Sequence, residues 1–217
     1  VRALVRIGRE LPDVRTQGSR FRGIKGVTPL HLASELATNV RAVRALVTLG
    51  ADANALDARG CSPLHYAAVT QTPPPVCVDV TSELLAWGAQ LSLRALDGHV
   101  AFTRAVVSRS PAKLVNVLVG EGKDEELAKV TVRGRNALHL AAEAGVSVDV
   151  AKTLCGAGTP SQVGTARSRK ATPAVVAKHN ANAPQDLVAF LSLGEMEQTR
   201  ARQADLNVVR ERWAERQ

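Results

Sequence analysis

The sequence predicts an all-α solenoid of helix-turn-helix units with projecting hairpin-like turns. Three observations carry that expectation. A phrase recurs along the chain: Thr28-Pro29-Leu30-His31-Leu32-Ala33, then Ser62-Pro63-Leu64-His65-Tyr66-Ala67, then Asn136-Ala137-Leu138-His139-Leu140-Ala141. Weaker copies start at Val100 and Thr172, so the first residues are spaced by 34, 38, 36 and 36. A fixed period of this size marks a stacked-repeat architecture. Each copy also reads as a helix start, and each is followed by a second apolar phrase that ends on glycine.

The first phrase is helix-forming for local reasons. Thr28, Ser62, Asn136 and Thr172 are good N-caps, because a side-chain oxygen can accept an unpaired N–H of the first turn. Pro29, Pro63 and Pro173 sit at the first helical position, where a missing N–H costs nothing. Leu30, Leu64 and Leu138 begin an apolar face. The second phrase runs Val43-Arg44-Ala45-Leu46-Val47-Thr48-Leu49-Gly50, with counterparts at Leu84 to Gly88 and Thr153 to Gly158. Glycine can take the left-handed conformation that closes a helix. Ten residues then lead from Gly50 to Gly60 and from Gly88 to Gly98, enough for a hairpin-like turn.

The unit of helix, short turn, helix and projecting turn resembles the ankyrin repeat, with its G-x-T-P-L-H-L-A-A and G-A-D-x-N phrases. Residues 24–68 match that motif almost phrase by phrase. The resemblance extends over 1–194 at varying quality. It implies a stack whose first helices and turn tips line a concave face, with the second helices on the convex back. It also implies that His31, His65 and His139 hydrogen-bond within and between neighbouring turns.

Taken in order, Val1 to Gly8 repeats Val43 to Gly50 apart from Arg6 and Ile7. The chain is thus expected to open inside a partial repeat, 1–26, and it starts with Val. A trimmed piece of a longer protein, or a natural start after processing, fits equally. The first turn, Arg9 to Lys25, is long and basic, with Phe21 between two arginines. It reads as a solvated insertion or as a basic finger. Gln71 to Cys77 inserts three prolines between the helices of the second unit, and prolines forbid helix continuation. Trp87 takes the place of Leu49 and is expected to pack between second helices. In the third unit Val100 has no capping side chain, Thr103 replaces histidine, and Arg104 stands at an otherwise apolar position. Arg104 either snorkels to the edge of the stack or is presented on the concave face. The unit from 172 reads as a cap, since terminal repeats are altered to face water. Residues 195–217 form a C-terminal helix or linker, with Leu206, Val209 and Trp213 at helical spacing. The repeats start near 28, 62, 100, 136 and 172, which places the array at 1–194.

Composition agrees with thin repeats. Hydrophobic residues make up 45% but aromatic ones only 3%, so the core is Ala, Val and Leu. No run of 18 apolar residues exists to span a membrane. Three scattered cysteines favour a reducing, intracellular setting, cytoplasmic or nuclear. The net charge of +8 sits near the ends of the array. Residues 1–26 hold 7 − 2 = +5 and residues 161–194 hold 4 − 1 = +3, while 27–160 and 195–217 are each balanced.

No catalytic set, cofactor loop or metal site emerges. Cys61 and His65 lie four apart, but no orienting third group or oxyanion donor accompanies them. The histidines are spread along the repeats, so they do not converge as ligands. Neither G-x-G-x-x-G nor G-x-x-x-x-G-K-[ST] occurs. The expected function is therefore non-catalytic protein binding, as an adaptor or scaffold acting as a monomer. The expected contact residues are basic positions in the projecting turns: Arg20, Arg22, Lys25, Arg59, Arg94, Arg133, Arg135, Arg167, Arg169 and Lys170. They would face a protein partner with an acidic surface. Nucleic acid is the alternative partner, with a sequence pI near 10 in its favour and a neutral middle against it. A third reading, substrate recruitment for a ubiquitin ligase or other larger enzyme assembly, rests on analogy.

Overall fold

The computed structural model describes residues 24–36, 39–69, 76–120, 132, 135–156 and 172–214. Within them ten helices pair into five units. The first pair is α1 (Pro29–Leu36) and α2 (Val40–Thr48), and the second is α3 (Pro63–Val69) and α4 (Val76–Ala86). Then come α5 (Ala101–Val107) with α6 (Ala112–Gly120), α7 (Ala137–Ala144) with α8 (Val148–Gly156), and α9 (Pro173–His179) with α10 (Gln185–Ala214). The odd-numbered helices pack in one row and the even-numbered helices in a second row behind it. This is the all-α ankyrin-type solenoid expected from the repeats. Among the described residues the only strand-like feature is an isolated bridge between Val132 and Arg135.

The repeated phrases build the core directly. Leu30, Leu64 and Leu138 are fully buried, and Phe102 takes the equivalent place in the third unit. On the outer row Leu46, Leu84, Leu118 and Leu154 repeat the arrangement. Each such side chain is worth about 2 kcal/mol of burial. Ala67, Ala68, Ala105, Ala141 and Ala142 are also buried and let the inner helices approach closely. Stability therefore comes from unit-on-unit faces.

The outer helices end as their glycines predict. Gly50 (φ +94°) donates to Val47 O at 2.9 Å and Ala51 to Leu46 O at 3.1 Å, and Gly88 with Ala89 repeats the pair. The starts are more varied than the sequence suggests. Asn136 Oδ1 accepts from His139 N at 3.0 Å, and Thr172 Oγ1 accepts from Val175 N at 3.4 Å. At Thr28 the corresponding bond is 3.5 Å, and the Ser62 hydroxyl lies 2.9 Å from His65 Nδ1. In those two units the imidazole has taken over part of the capping work.

Helix α10 passes Gly194 without a break, so the last unit and the C-terminal segment share one helix. Leu187 and Leu191 anchor its first turns against the stack. The side chains of Leu206, Val209 and Trp213 lie outside those described, as do the partial repeat and the proline insertion up to Pro75.

Candidate partner-binding surface

The histidines organise the turns. Thr28 N–H donates to His31 Nδ1 at 3.1 Å, which leaves the ring proton on Nε2, and Nε2 meets Cys61 O of the next unit at 2.9 Å. Ser62 N–H, His65 and His99 O repeat this at 3.1 and 3.2 Å. Burial pushes the His65 imidazole down, so it stays neutral. Both ring nitrogens of His65 are therefore committed. Cys61 offers its carbonyl to His31, while burial pushes its thiol up. This is an architectural arrangement in place of a Cys–His dyad. In the third unit Thr103 serves locally: its hydroxyl accepts from Val100 N–H at 3.1 Å and lies 2.9 Å from Val100 O.

The tips are tied to one another through backbone. Ala58 N–H donates to Lys25 O at 2.9 Å, and Leu96 N–H donates to Arg59 O at 2.8 Å. Hairpin bonds from Asp57 N to Cys61 O and from Ala95 N to His99 O close the second and third turns. Gly60 is required here on two counts. Its φ is +71°, and a Cβ would lie 3.3 Å from Leu96 N.

One carboxylate fixes the second tip. Asp57 is buried, and its Oδ1 accepts from Cys61 N and Arg59 N, each at 2.8 Å. Its Oδ2 accepts from Tyr66 Oη at 2.8 Å and Arg59 Nε at 3.3 Å. The Arg59 guanidinium also sits 5.7 Å from the Tyr66 ring centre, and His31 meets that ring edge-on at 5.0 Å. Burial pushes the Asp57 carboxyl up, but the bonds from Cys61, Tyr66 and Arg59 outweigh it and hold it below its ordinary value. Burial, then the bond to Asp57, pushes the Tyr66 phenol up to about 12.

Of the basic positions expected to make contacts, Lys25, Arg59, Arg94 and Arg135 fall in the described residues. Arg20, Arg22, Arg133, Arg167, Arg169 and Lys170 lie outside them. Lys25 and Arg94 project into solvent. Arg59 is about half exposed but held by Asp57 and Tyr66. Arg135 pairs with Glu143 on the inner row. Arg104 stands where Tyr66 stands in the previous unit and pairs with Asp97 at the third tip. Its Nε is buried without a partner.

Two further surfaces flank the tips. Glu143, Val175, Val176, His179 and Asn180 line an open cleft of about 450 Å³ between α7 and α9. On the second row of helices, Arg44 donates twice to Glu83, at 2.8 and 2.6 Å, and Trp87 Nε1 donates to the same carboxylate at 3.0 Å. The bond from Arg44, with that from Trp87, holds Glu83 down to about 2. Trp87 is 46% exposed and hydrogen-bonded to Glu83, so it is not buried between second helices.

Sequence reasoning missed the apolar residues of the tips. Leu96 is 82% exposed and Leu56 is 38% exposed. For Leu56 the signal was present: it is the one leucine in the small and polar turn from Gly50 to Gly60, whereas Leu96 shares its turn with Leu91 and Leu93.

Among the described residues no group of His, Cys, Asp and Glu could hold a metal, and no helix is long and apolar enough to cross a membrane. Comparison with known proteins agrees with the geometry. A model of ankyrin repeats in many copies matches residues 22–67. Rabankyrin-5 of Mus musculus is 29% identical over 144 residues, and Rabankyrin-5 of Homo sapiens is 30% identical over the same length. Each match covers 64% of this chain and 12% of the relative, so the chain spans only a small part of these proteins' length. The family model places ankyrin repeats at residues 22–67, and the recurring helix pairs and the histidine links between turns carry that architecture through the described units.

Proposed function

We propose that this chain is a non-catalytic adaptor or scaffold module that binds an acidic protein surface through its turn tips and concave face. Ankyrin repeats in general mediate contacts between proteins. The observation that carries the reading here is the tip ridge. Lys25, Ala58, Arg59 and Leu96 are joined by backbone bonds of 2.9 and 2.8 Å, and Lys25 and Arg94 project from it. A pre-ordered ridge meets a partner without the entropy of ordering a loop. Its charge acts on association rate and partner choice more than on affinity. The expected setting is intracellular, supported by three free cysteines, Cys61, Cys77 and Cys155, and the chain is expected to act as a monomer.

The test compares affinity capture by the intact chain with capture by a variant carrying Ser at 20, 22, 25, 167, 169 and 170, with and without nuclease. A discrete protein lost in the variant and kept after nuclease supports the reading. Recovery that disappears with nuclease assigns the basic turns to nucleic acid instead.

A further inference from the structure

We infer that Leu96, with Leu56 on the neighbouring turn, is the apolar anchor of this ridge, and that its partner is an acidic protein segment carrying an apolar side chain. The inference rests on the protein-binding reading and narrows it. A leucine 82% exposed on a tip gains nothing from the fold. Its backbone is nevertheless fixed by the bond to Arg59 O and by the close approach of Gly60. A large apolar group on a rigid support, ringed by polar residues, is the arrangement of an interface hot spot.

The surrounding charge selects the partner. Lys25 and Arg94 are the cations that project from these turns, while Arg59 is paired with Asp57. The carboxylates beside them are already engaged. Asp57 is buried under four bonds. Asp97, next to Leu96, pairs with Arg104 and accepts from His99 N at 3.0 Å. Asp52, at the base of the second turn, accepts from Asn54 N at 2.8 Å. The ridge therefore presents leucine beside two projecting cations, Lys25 and Arg94. A polyphosphate backbone would use the cations and leave the leucines unused, so a protein segment is the better complement.

The probe is a library of random dodecapeptides, selected against the purified chain. Enriched peptides should combine Asp or Glu with Leu, Ile, Phe or Met. A synthetic peptide of that consensus should lose about tenfold in affinity on Leu96→Ser, the loss expected when one buried leucine contact is removed. On the double variant Lys25→Ser, Arg94→Ser it should bind with a shallower salt dependence. Leu96→Ser removes an exposed side chain, so its helical circular dichroism and melting should match the parent. Failure to enrich any peptide, a consensus lacking either feature, or an affinity unmoved by Leu96→Ser overturns the inference. Peptides that bind but ignore both variants sink the anchor while leaving the binding-module reading intact. Steeply salt-dependent binding of a single-stranded dodecanucleotide, with no peptide enriched, overturns both.

Discussion

Replacing Asp57 with alanine tests the reasoning about the second turn most directly. The carboxylate accepts four hydrogen bonds, and two of its donors, Cys61 N–H and Tyr66 O–H, belong to buried residues. Alanine leaves the Cys61 N–H without its acceptor, which costs about 1–3 kcal/mol. Losing the charged acceptor for Tyr66 adds about 1 kcal/mol, while exposed Arg59 regains water. The expected loss is about 3 kcal/mol, which lowers a urea midpoint by about 1.5 M at a slope near 2 kcal/mol per M. Tyr66→Phe, which removes one of the four bonds, should cost about 1 kcal/mol. The assay is urea unfolding followed by circular dichroism at neutral and acidic pH. Because the native Asp57 value is lowered, the unfolded chain takes up the proton first as pH falls. The stabilisation is complete above the ordinary carboxylate value near 4 and disappears as pH drops through the native value. The gap between parent and Asp57→Ala should therefore narrow in acid. A loss below about 1 kcal/mol at neutral pH, or a gap that does not narrow in acid, would refute the account of this turn.

Further outcomes follow from the rest of the structure. Tyr66 is the chain's one tyrosine, so ultraviolet titration should find its phenol ionising at about 12 in the folded state. The unfolded phenol ionises first, so stability should fall as pH rises above about 10. Gly145→Ala should cost about 2 kcal/mol or more in thermal melts, because a Cβ there would lie 2.8 Å from Asn182 O at φ +64°. Gly50→Ala meets nothing within 4 Å and should cost only the φ penalty of about 1 kcal/mol. Arg104→Leu should leave stability within about 1 kcal/mol of the parent or raise it, because it trades a buried unpaired Nε for apolar packing. A loss of several kcal/mol in urea unfolding would show that the Asp97 pair is essential.

The fold was legible because its signals are local. Caps, N1 prolines and closing glycines act within a turn of themselves, and the same leucine column recurs from Leu30 to Leu138. The histidine role was legible through family resemblance, and the structure gives it atoms: Cys61 O and His99 O. The candidate surface was less legible because it depends on neighbours that sequence order does not bring together. Arg59 and Arg94 look alike as turn arginines, yet only Arg59 is held by Asp57 and Tyr66. Arg135 reads from sequence as a contact position in a projecting turn, and α7 supplies Glu143 as its partner. Trp87 reads as a packing residue until the path of the chain leaves it 46% exposed beside Glu83.

Thr103 has a consequence for how the stack moves. His31 and His65 each fasten one turn to the next, while the Thr103 hydroxyl stays within its own turn. The seam between the third and fourth units thus lacks the imidazole rivet that fastens the two seams before it. In a one-dimensional array such a seam is the natural joint. Bending there can change the curvature of the whole surface without breaking a bond to either histidine. If the array flexes at that seam, the ridge from Lys25 to Leu96 and the cleft beside His179 lie on opposite sides of the joint.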